Sequence, residues 1–186
     1  MKKVNIGSKT LKHQSIFSVY EMKFNFVKND GSKSNDLTHH IVEKGPAVAI
    51  LIYDIDLASL VLVRQLRTAT LTDITEIVAG AIDPGETPEI AAKREIMEEV
   101  GYNVKQLKPI CSFYTTPGIF NEEIYFFYAE VDHSSKVNTG GGLVAEDEDL
   151  ELIYINKDSI SAWMQNEKEL DAKTIIGLQY FLLNHI

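Results

Sequence analysis

The sequence predicts an α/β fold: a mixed sheet packed between helices, with an antiparallel β-sheet extension at the N-terminus. Three observations point there. Strand-length apolar runs outnumber helical ones along the chain. One helix with strong start and stop signals stands mid-chain, and two more close it, so helices bracket the later strands. The 186 residues are 45% hydrophobic and 24% charged, which suits a single core-building globular domain.

Each element has its own warrant. Residues 16–26 alternate β-branched and aromatic side chains, and Asn29-Asp30-Gly31 is a hairpin signal that makes 37–42 the return strand. Gly45-Pro46 breaks the chain before 47–53, a wholly apolar run that reads as a buried strand. Residues 60–66 and 74–82 are the next strands, the latter carrying Glu76 among apolar neighbours, and Asp83-Pro84-Gly85 turns the chain. A helix follows over 88–101, with Thr87 as N-cap, Pro88 at the first helical position, Glu89 at the positive dipole end and Gly101 as C-cap. Residues 104–113 and 123–131 are strands flanking Thr116-Pro117-Gly118, and 132–149 is a long acidic loop rich in glycine. Residues 150–155 form the last strand, and helices at 159–166 and 172–183 finish the chain. The expected division is 1–44 as N-terminal strands and 45–186 as the main domain.

Charge narrows the function. Lys and Arg total 18 against 27 Asp and Glu, a net charge of −9. Such a surface repels a phosphate backbone, so no nucleic-acid partner is expected. An anionic small substrate would need a metal ion to bridge the repulsion. The single cysteine, Cys111, allows no internal disulfide and suits a reducing compartment, hence a cytoplasmic protein. The longest apolar run is too short to cross a bilayer and the N-terminus carries no visible signal peptide, so no membrane association is expected. No G-x-S-x-G occurs and Cys111 has no recognisable partner, which leaves a Ser or Cys nucleophile unsupported.

The central helix carries the chemistry. At about 100° per residue, Ile90, Ala92, Ile96, Met97 and Val100 share one apolar arc, while Glu95, Glu98 and Glu99 lie opposite with Arg94 at the edge. Like charges three or four residues apart cost about 0.2–0.5 kcal/mol per pair. Glutamates near a helix C-terminus also oppose its dipole. A hard divalent cation with oxygen ligands relieves both.

The spacing around that helix is specific. Gly80 is followed after five residues by Glu86, then after seven by Arg94-Glu95-Ile96-Met97-Glu98-Glu99-Val100-Gly101-Tyr102. This resembles the Nudix box, G-x5-E-x7-R-E-U-x-E-E-x-G-U with U apolar, at every defined position. The resemblance implies an α/β/α sandwich with a mixed sheet, and hydrolysis of a nucleoside diphosphate linked to another group. It implies Mg²⁺, with Mn²⁺ as a substitute, ligated by Glu95 and Glu99, with Glu98 near the metal or water and Arg94 orienting the carboxylates.

The resemblance extends along the chain. Leu62-Val63-Arg64-Gln65-Leu66-Arg67 with Glu76-Ile77-Val78-Ala79-Gly80 looks like the nucleotide-sugar branch of the family, whose members are homodimers that exchange an N-terminal sheet. Two later stretches, Gly140-Gly141-Gly142 leading into Glu146-Asp147-Glu148-Asp149, and Asp171-Ala172-Lys173-Thr174, resemble the GDP-mannose-hydrolysing group within it. A glycine hinge ahead of four acids suits a loop that closes over a metal. The resemblance then implies Glu148 as loop metal ligand or base, and the Ala79 carbonyl in the metal set. It assigns Arg67, Glu122, Asp147 and Lys173 to the nucleotide sugar, and His39, on the strand that makes nucleotide contacts in that group, could bind phosphate when charged or face solvent. The chain departs from the group at Thr38-His39-His40, which replaces a basic pair and an acid, and the loop at 70–74 is shorter. The activity implied is cleavage of GDP-mannose to GMP and mannose 1-phosphate. The alternatives are an ADP-ribose pyrophosphatase and, in another class, a non-catalytic nucleotide-sensing Nudix module.

Overall fold

The computed structural model describes residues 2–143, 145 and 147–185, and the chain divides into two units. The first takes in Met1–Pro46 and Tyr114–Glu123. Its sheet has three antiparallel strands in the order β1 (Val4–Gln14), β2 (Ser18–Phe26) and β3 (Leu37–Glu43). The turn at Asn29-Asp30-Gly31 forms as expected: Gly31 has φ 83°, and the Asp30 carboxylate accepts from the Ser32 N–H at 2.9 Å. β1 was not anticipated. All eleven of its residues are exposed, so no buried face imposed an alternating pattern on Ser8, Lys9 and Thr10. The backbone ladder to β2 makes it a strand. Within the same unit the segment around Phe120 runs beside β3, with the Val42 N–H donating to Ile119 O at 2.7 Å.

The second unit, Ala47–Phe113 with Ile124–Ile186, holds a seven-stranded mixed sheet. Its strands are β4 (Ala47–Asp54), β5 (Ser59–Arg67), β6 (Thr72–Glu76), β7 (Val78–Ala81), β8 (Lys108–Tyr114), β9 (Glu123–Val131) and β10 (Glu151–Asn156). The order is β10-β5-β4-β9-β8, with β6 on β5 and β7 on β4; β4 and β9 are parallel. β4 is buried on both faces, which explains its unbroken apolar run. One face packs against α1 (Pro88–Glu95) and the turn after it, through Ala91, Ala92, Ile96 and Val100. The other packs against α2 (Ile160–Asn166) and α3 (Ala172–His185), through Ile160, Leu178 and Phe181. The architecture is thus an α/β/α sandwich with a separate antiparallel sheet.

Three departures from the expected elements shape the site. The single strand expected at 74–82 is two: β6 pairs with β5, β7 pairs with β4, and the chain changes partners at Ile77. The Ile77 N–H, taken out of the ladder by this switch, donates to the buried Thr174 Oγ1 at 3.0 Å, as a buried N–H must find an acceptor. The helix expected over 88–101 is α-helical only to Glu95; Ile96–Val100 form a π-helical turn closed by Gly101 at φ 71°. Such turns are frequent at functional sites. The helix is also rotated, so that Ile90 is 54% exposed while Ala91 is buried.

Candidate active site

The Nudix-box residues assemble around Arg94. Its Nε and one terminal nitrogen grip Glu86 at 3.0 Å each, the other terminal nitrogen reaches Glu95 at 2.8 Å and Glu98 at 3.1 Å, and a last N–H donates to Ala81 O at 2.9 Å. All five guanidinium donors are engaged. The Arg94 bonds, aided by the Asp83 N–H, hold the Glu86 carboxyl below the usual carboxylate range. Those same bonds push Arg94 above its already high value. The sequence uses Glu86 only as a spacing position; the structure makes it the anchor that aims Arg94.

Gly80 sits where β7 passes under the helix. A Cβ there would lie 1.9 Å from Glu95 Oε1, so only glycine lets that carboxylate rest on the strand. Glu95 is buried, and burial raises its carboxyl despite Arg94. Glu99 is 3% exposed. Burial pushes its carboxyl well above the usual range, and the charges of Glu95 and Glu148 add to this; the Ala79 N–H and the Arg67 charge offset it only in part. Its Oε2 has no hydrogen-bond partner among the described residues.

The glycine stretch docks on the end of the same helix. Gly140, Gly141 and Gly142 all have positive φ, at 69°, 108° and 85°. The Gly141 N–H donates to Glu99 O at 2.8 Å, the Gly142 N–H to Glu98 O at 3.1 Å, and Lys136 Nζ to Val100 O at 2.6 Å. The carbonyls that a helix end leaves unpaired are thereby satisfied by the loop. A Cβ on Gly140 would meet Glu99 O at 2.6 Å, so a side chain there would lift the loop. Glu148 follows, its Oε2 accepting from the Leu143 N–H at 2.9 Å, close enough for its charge to act on both Glu95 and Glu99. Asp147 is exposed with φ 54°. Glu146, part of the same acidic run, lies outside the described residues.

Two cations border this arc. Arg67 donates through Nε to Glu76 Oε2 at 2.6 Å, and Lys173 Nζ lies 3.4 Å from Glu76 Oε1 and in contact with Asp171. Asp171 caps α3, accepting from the Thr174 N–H at 2.8 Å. Burial acts to raise its carboxyl, but the Lys173 ammonium and the Thr174 bonds outweigh it and hold Asp171 below the usual range. Part of the Asp171-Ala172-Lys173-Thr174 stretch therefore serves the fold: Asp171 caps the helix and Thr174 ties it to Ile77.

The remaining residues sit in the N-terminal unit. His39 is an exposed residue of β3, edge-on to Phe24 at 5.1 Å between ring centroids. Glu122 Oε1 is 3.8 Å from Lys44 Nζ. A cavity of the second unit, about 590 Å³, is lined by Lys105, Lys108, Tyr128, Glu130 and His185 among others, and contains none of the candidate residues.

The donor set fits a hard divalent cation. A buried carboxylate with a bare oxygen, facing two more carboxylates, is costly unless a cation joins it. Glu95, Glu98, Glu99, Glu148 and the Ala79 carbonyl could hold one. Among the described residues no three acidic, His or Cys side chains close a cage by themselves. Mg²⁺ needs none, because it keeps several waters and substrate oxygens in its shell.

Comparison with known proteins agrees with this arrangement. The NUDIX domain model matches residues 43–175. GDP-mannose pyrophosphatases of Escherichia coli O1:K1 / APEC and of Shigella flexneri serotype 5b are 30% identical over 176 residues, covering 91% of this chain and 90% of theirs. That of Shigella dysenteriae serotype 1 is 29% identical over the same length. With the family model spanning most of the chain, and the box residues gathered on one arginine at the end of a helix, the chain belongs to the Nudix family.

Proposed function

We propose that this chain is a metal-dependent pyrophosphatase of nucleotide sugars, cleaving GDP-mannose to GMP and mannose 1-phosphate. The observation that carries the reading is Glu99: buried, with a bare Oε2, its carboxyl pushed up by burial and by the charges of Glu95 and Glu148. A bound Mg²⁺ would supply charge neutralisation of the diphosphate and a lowered pKa for water. The protein's own part is positional. Arg94 fixes Glu86, Glu95 and Glu98 through one guanidinium, and the Gly140-Gly141-Gly142 stretch sets Glu148 opposite Glu99. Arg67 and Lys173 are the cations available to phosphate or sugar oxygens. Water oxygen bonds to one phosphorus, the bridging P–O bond breaks, and the leaving phosphate keeps the electron pair. A carboxylate of the arc, Glu98 or Glu148, takes the water's proton. No covalent protein intermediate is needed, since placement and electrostatics do the work.

The substrate assignment is supported by the named activity of the relatives, whose similarity covers 91% of the chain. The metals would grip only phosphates, so base and sugar must be chosen by polar groups outside the box, among them Glu122, Asp147 and His39. We infer a homodimer in which the N-terminal sheet of one chain helps to form the site of the other. The test is a panel of GDP-mannose, ADP-ribose and UDP-glucose at fixed Mg²⁺, with released monophosphates identified. GDP-mannose should give the highest kcat/KM. A tenfold or greater advantage for ADP-ribose would overturn the substrate assignment, and no turnover of any member would overturn the hydrolase reading.

A further inference from the structure

We propose that Glu76 is a positioning residue: its buried carboxylate holds Arg67 and Lys173 side by side as a two-cation clamp for oxygens of the substrate diphosphate. The inference deepens the hydrolase reading and rests on it.

Glu76 is 3% exposed at the end of β6. A carboxylate so buried must be paired, and here each oxygen takes one cation: Oε2 takes Arg67 Nε at 2.6 Å, and Oε1 takes Lys173 Nζ at 3.4 Å. The backbone is built to put it there. The chain leaves β5 for β4 at the next residue, and the Ile77 N–H is locked to Thr174, one residue beyond Lys173 in the first turn of α3. Glu76 is thus fixed under the turn that carries one cation and on the strand pair that carries the other.

The pairing is not the one a purely structural bridge would adopt. An arginine that serves only to neutralise a buried carboxylate favours the two-pronged arrangement. Arg67 instead gives Glu76 its Nε, and among the described residues its side chain is bonded through that atom alone. Both terminal nitrogens are left to a ligand, and the side chain is 41% exposed. Its charge already reaches Glu99, which places the guanidinium at the margin of the carboxylate arc. Asp171 completes the set, so two cations face two acids and the cluster is neutral before substrate arrives. In a chain of net charge −9 this matters. Cations not held by Glu76 and Asp171 would be drawn onto Glu95 and Glu99, where they would compete with metal rather than bind phosphate.

The test is Glu76→Gln, which keeps the shape and removes the charge. KM for GDP-mannose should rise roughly tenfold while kcat stays within about threefold, the scale of one charged hydrogen bond. In a background lacking both cations, Arg67→Ala with Lys173→Ala, the same change should add less than about twofold. An unchanged KM, or an undiminished effect in that background, overturns the clamp. If Glu76→Gln does not fold, Glu76→Asp, which keeps the charge but shortens its reach, should raise KM in the same way, and an unchanged KM overturns the proposal. Calorimetry with inorganic pyrophosphate and Mg²⁺ separates the two readings. Binding roughly tenfold weaker in the variant supports the clamp. Equal binding overturns it whatever the turnover. A wild type that binds pyrophosphate but cleaves no nucleotide sugar defeats the hydrolase reading alone.

Discussion

Replacing Glu99 by glutamine takes one negative charge out of a buried arc and leaves the volume unchanged. Without metal, the wild-type carboxylate is a burden: it is buried, its Oε2 is bare, and Glu95 and Glu148 repel it. Relief of up to about 1 kcal/mol, the scale of two like-charge repulsions at about 0.2–0.5 kcal/mol each, corresponds to a Tm rise of up to about 2–4 °C for a chain of this size. With Mg²⁺ at about 100 times its Kd, the wild type should gain about 2.7 kcal/mol, or roughly 5–11 °C, and the variant should lose most of this gain. Turnover should fall at least ~100-fold, the scale of losing one charge-stabilising group from a transition state. The pH dependence has a definite sign. The folded carboxyl lies above its unfolded value of about 4.3, so the stability linked to Glu99 is fully present below that value and is lost as pH rises through the folded one. The variant's metal-free advantage should therefore vanish near pH 4, grow as pH rises and level off above the folded value. Thermal melts with and without Mg²⁺, alongside kcat at saturating metal, read all of this. Near wild-type turnover together with an intact Mg²⁺-induced shift would refute the metal-ligand role of Glu99.

Two further outcomes are expected. Gly80→Ala puts a Cβ 1.9 Å from Glu95 Oε1, so Glu95 must move off the strand; the cost should be about 1–3 kcal/mol of stability, with Mg²⁺ affinity reduced, and an unchanged metal titration would show that Glu95 need not rest on β7. Light scattering should give about twice the 20.9 kDa chain mass, and a monomer working at full rate would defeat the shared site.

The carboxylate arc was legible because local rules forbid it. Glu95, Glu98 and Glu99 near a helix C-terminus violate charge spacing and dipole preference together, and such a violation asks for a compensating ligand. The doubly buried β4 and the N-terminus of α1, with Thr87 as cap and Pro88 at the first position, were legible for the opposite reason, since every local preference agreed with the fold. The π-helical turn was not visible. A residue spacing read at 3.6 per turn cannot report a local widening that depends on what docks against the helix end, here Gly141 and Gly142 on the carbonyls of Glu99 and Glu98. β1 was invisible because exposed strands carry no burial pattern.

Glu76 shows where pattern reading stops and pairing begins. In sequence it is one acid in an apolar run, and burial alone makes it improbable there. Its partners come from β5 and from the first turn of α3, nearly a hundred residues later, so no local window contains the reason for the charge. What a window does contain is Glu76 itself, the third residue of the mostly apolar run 74–82, a charge that a single buried strand would leave unpaired. Two short strands that change partners at the next residue give that charge room to turn towards cations. The same break frees the Ile77 N–H, which Thr174 then takes, so the residue that seats α3 and the residue that gathers Arg67 and Lys173 are adjacent in the chain. Folding and substrate binding thus share one kink. A substitution that straightened it, restoring one ladder through Ile77, would be expected to release the N-terminus of α3 and scatter the two cations together, not one without the other.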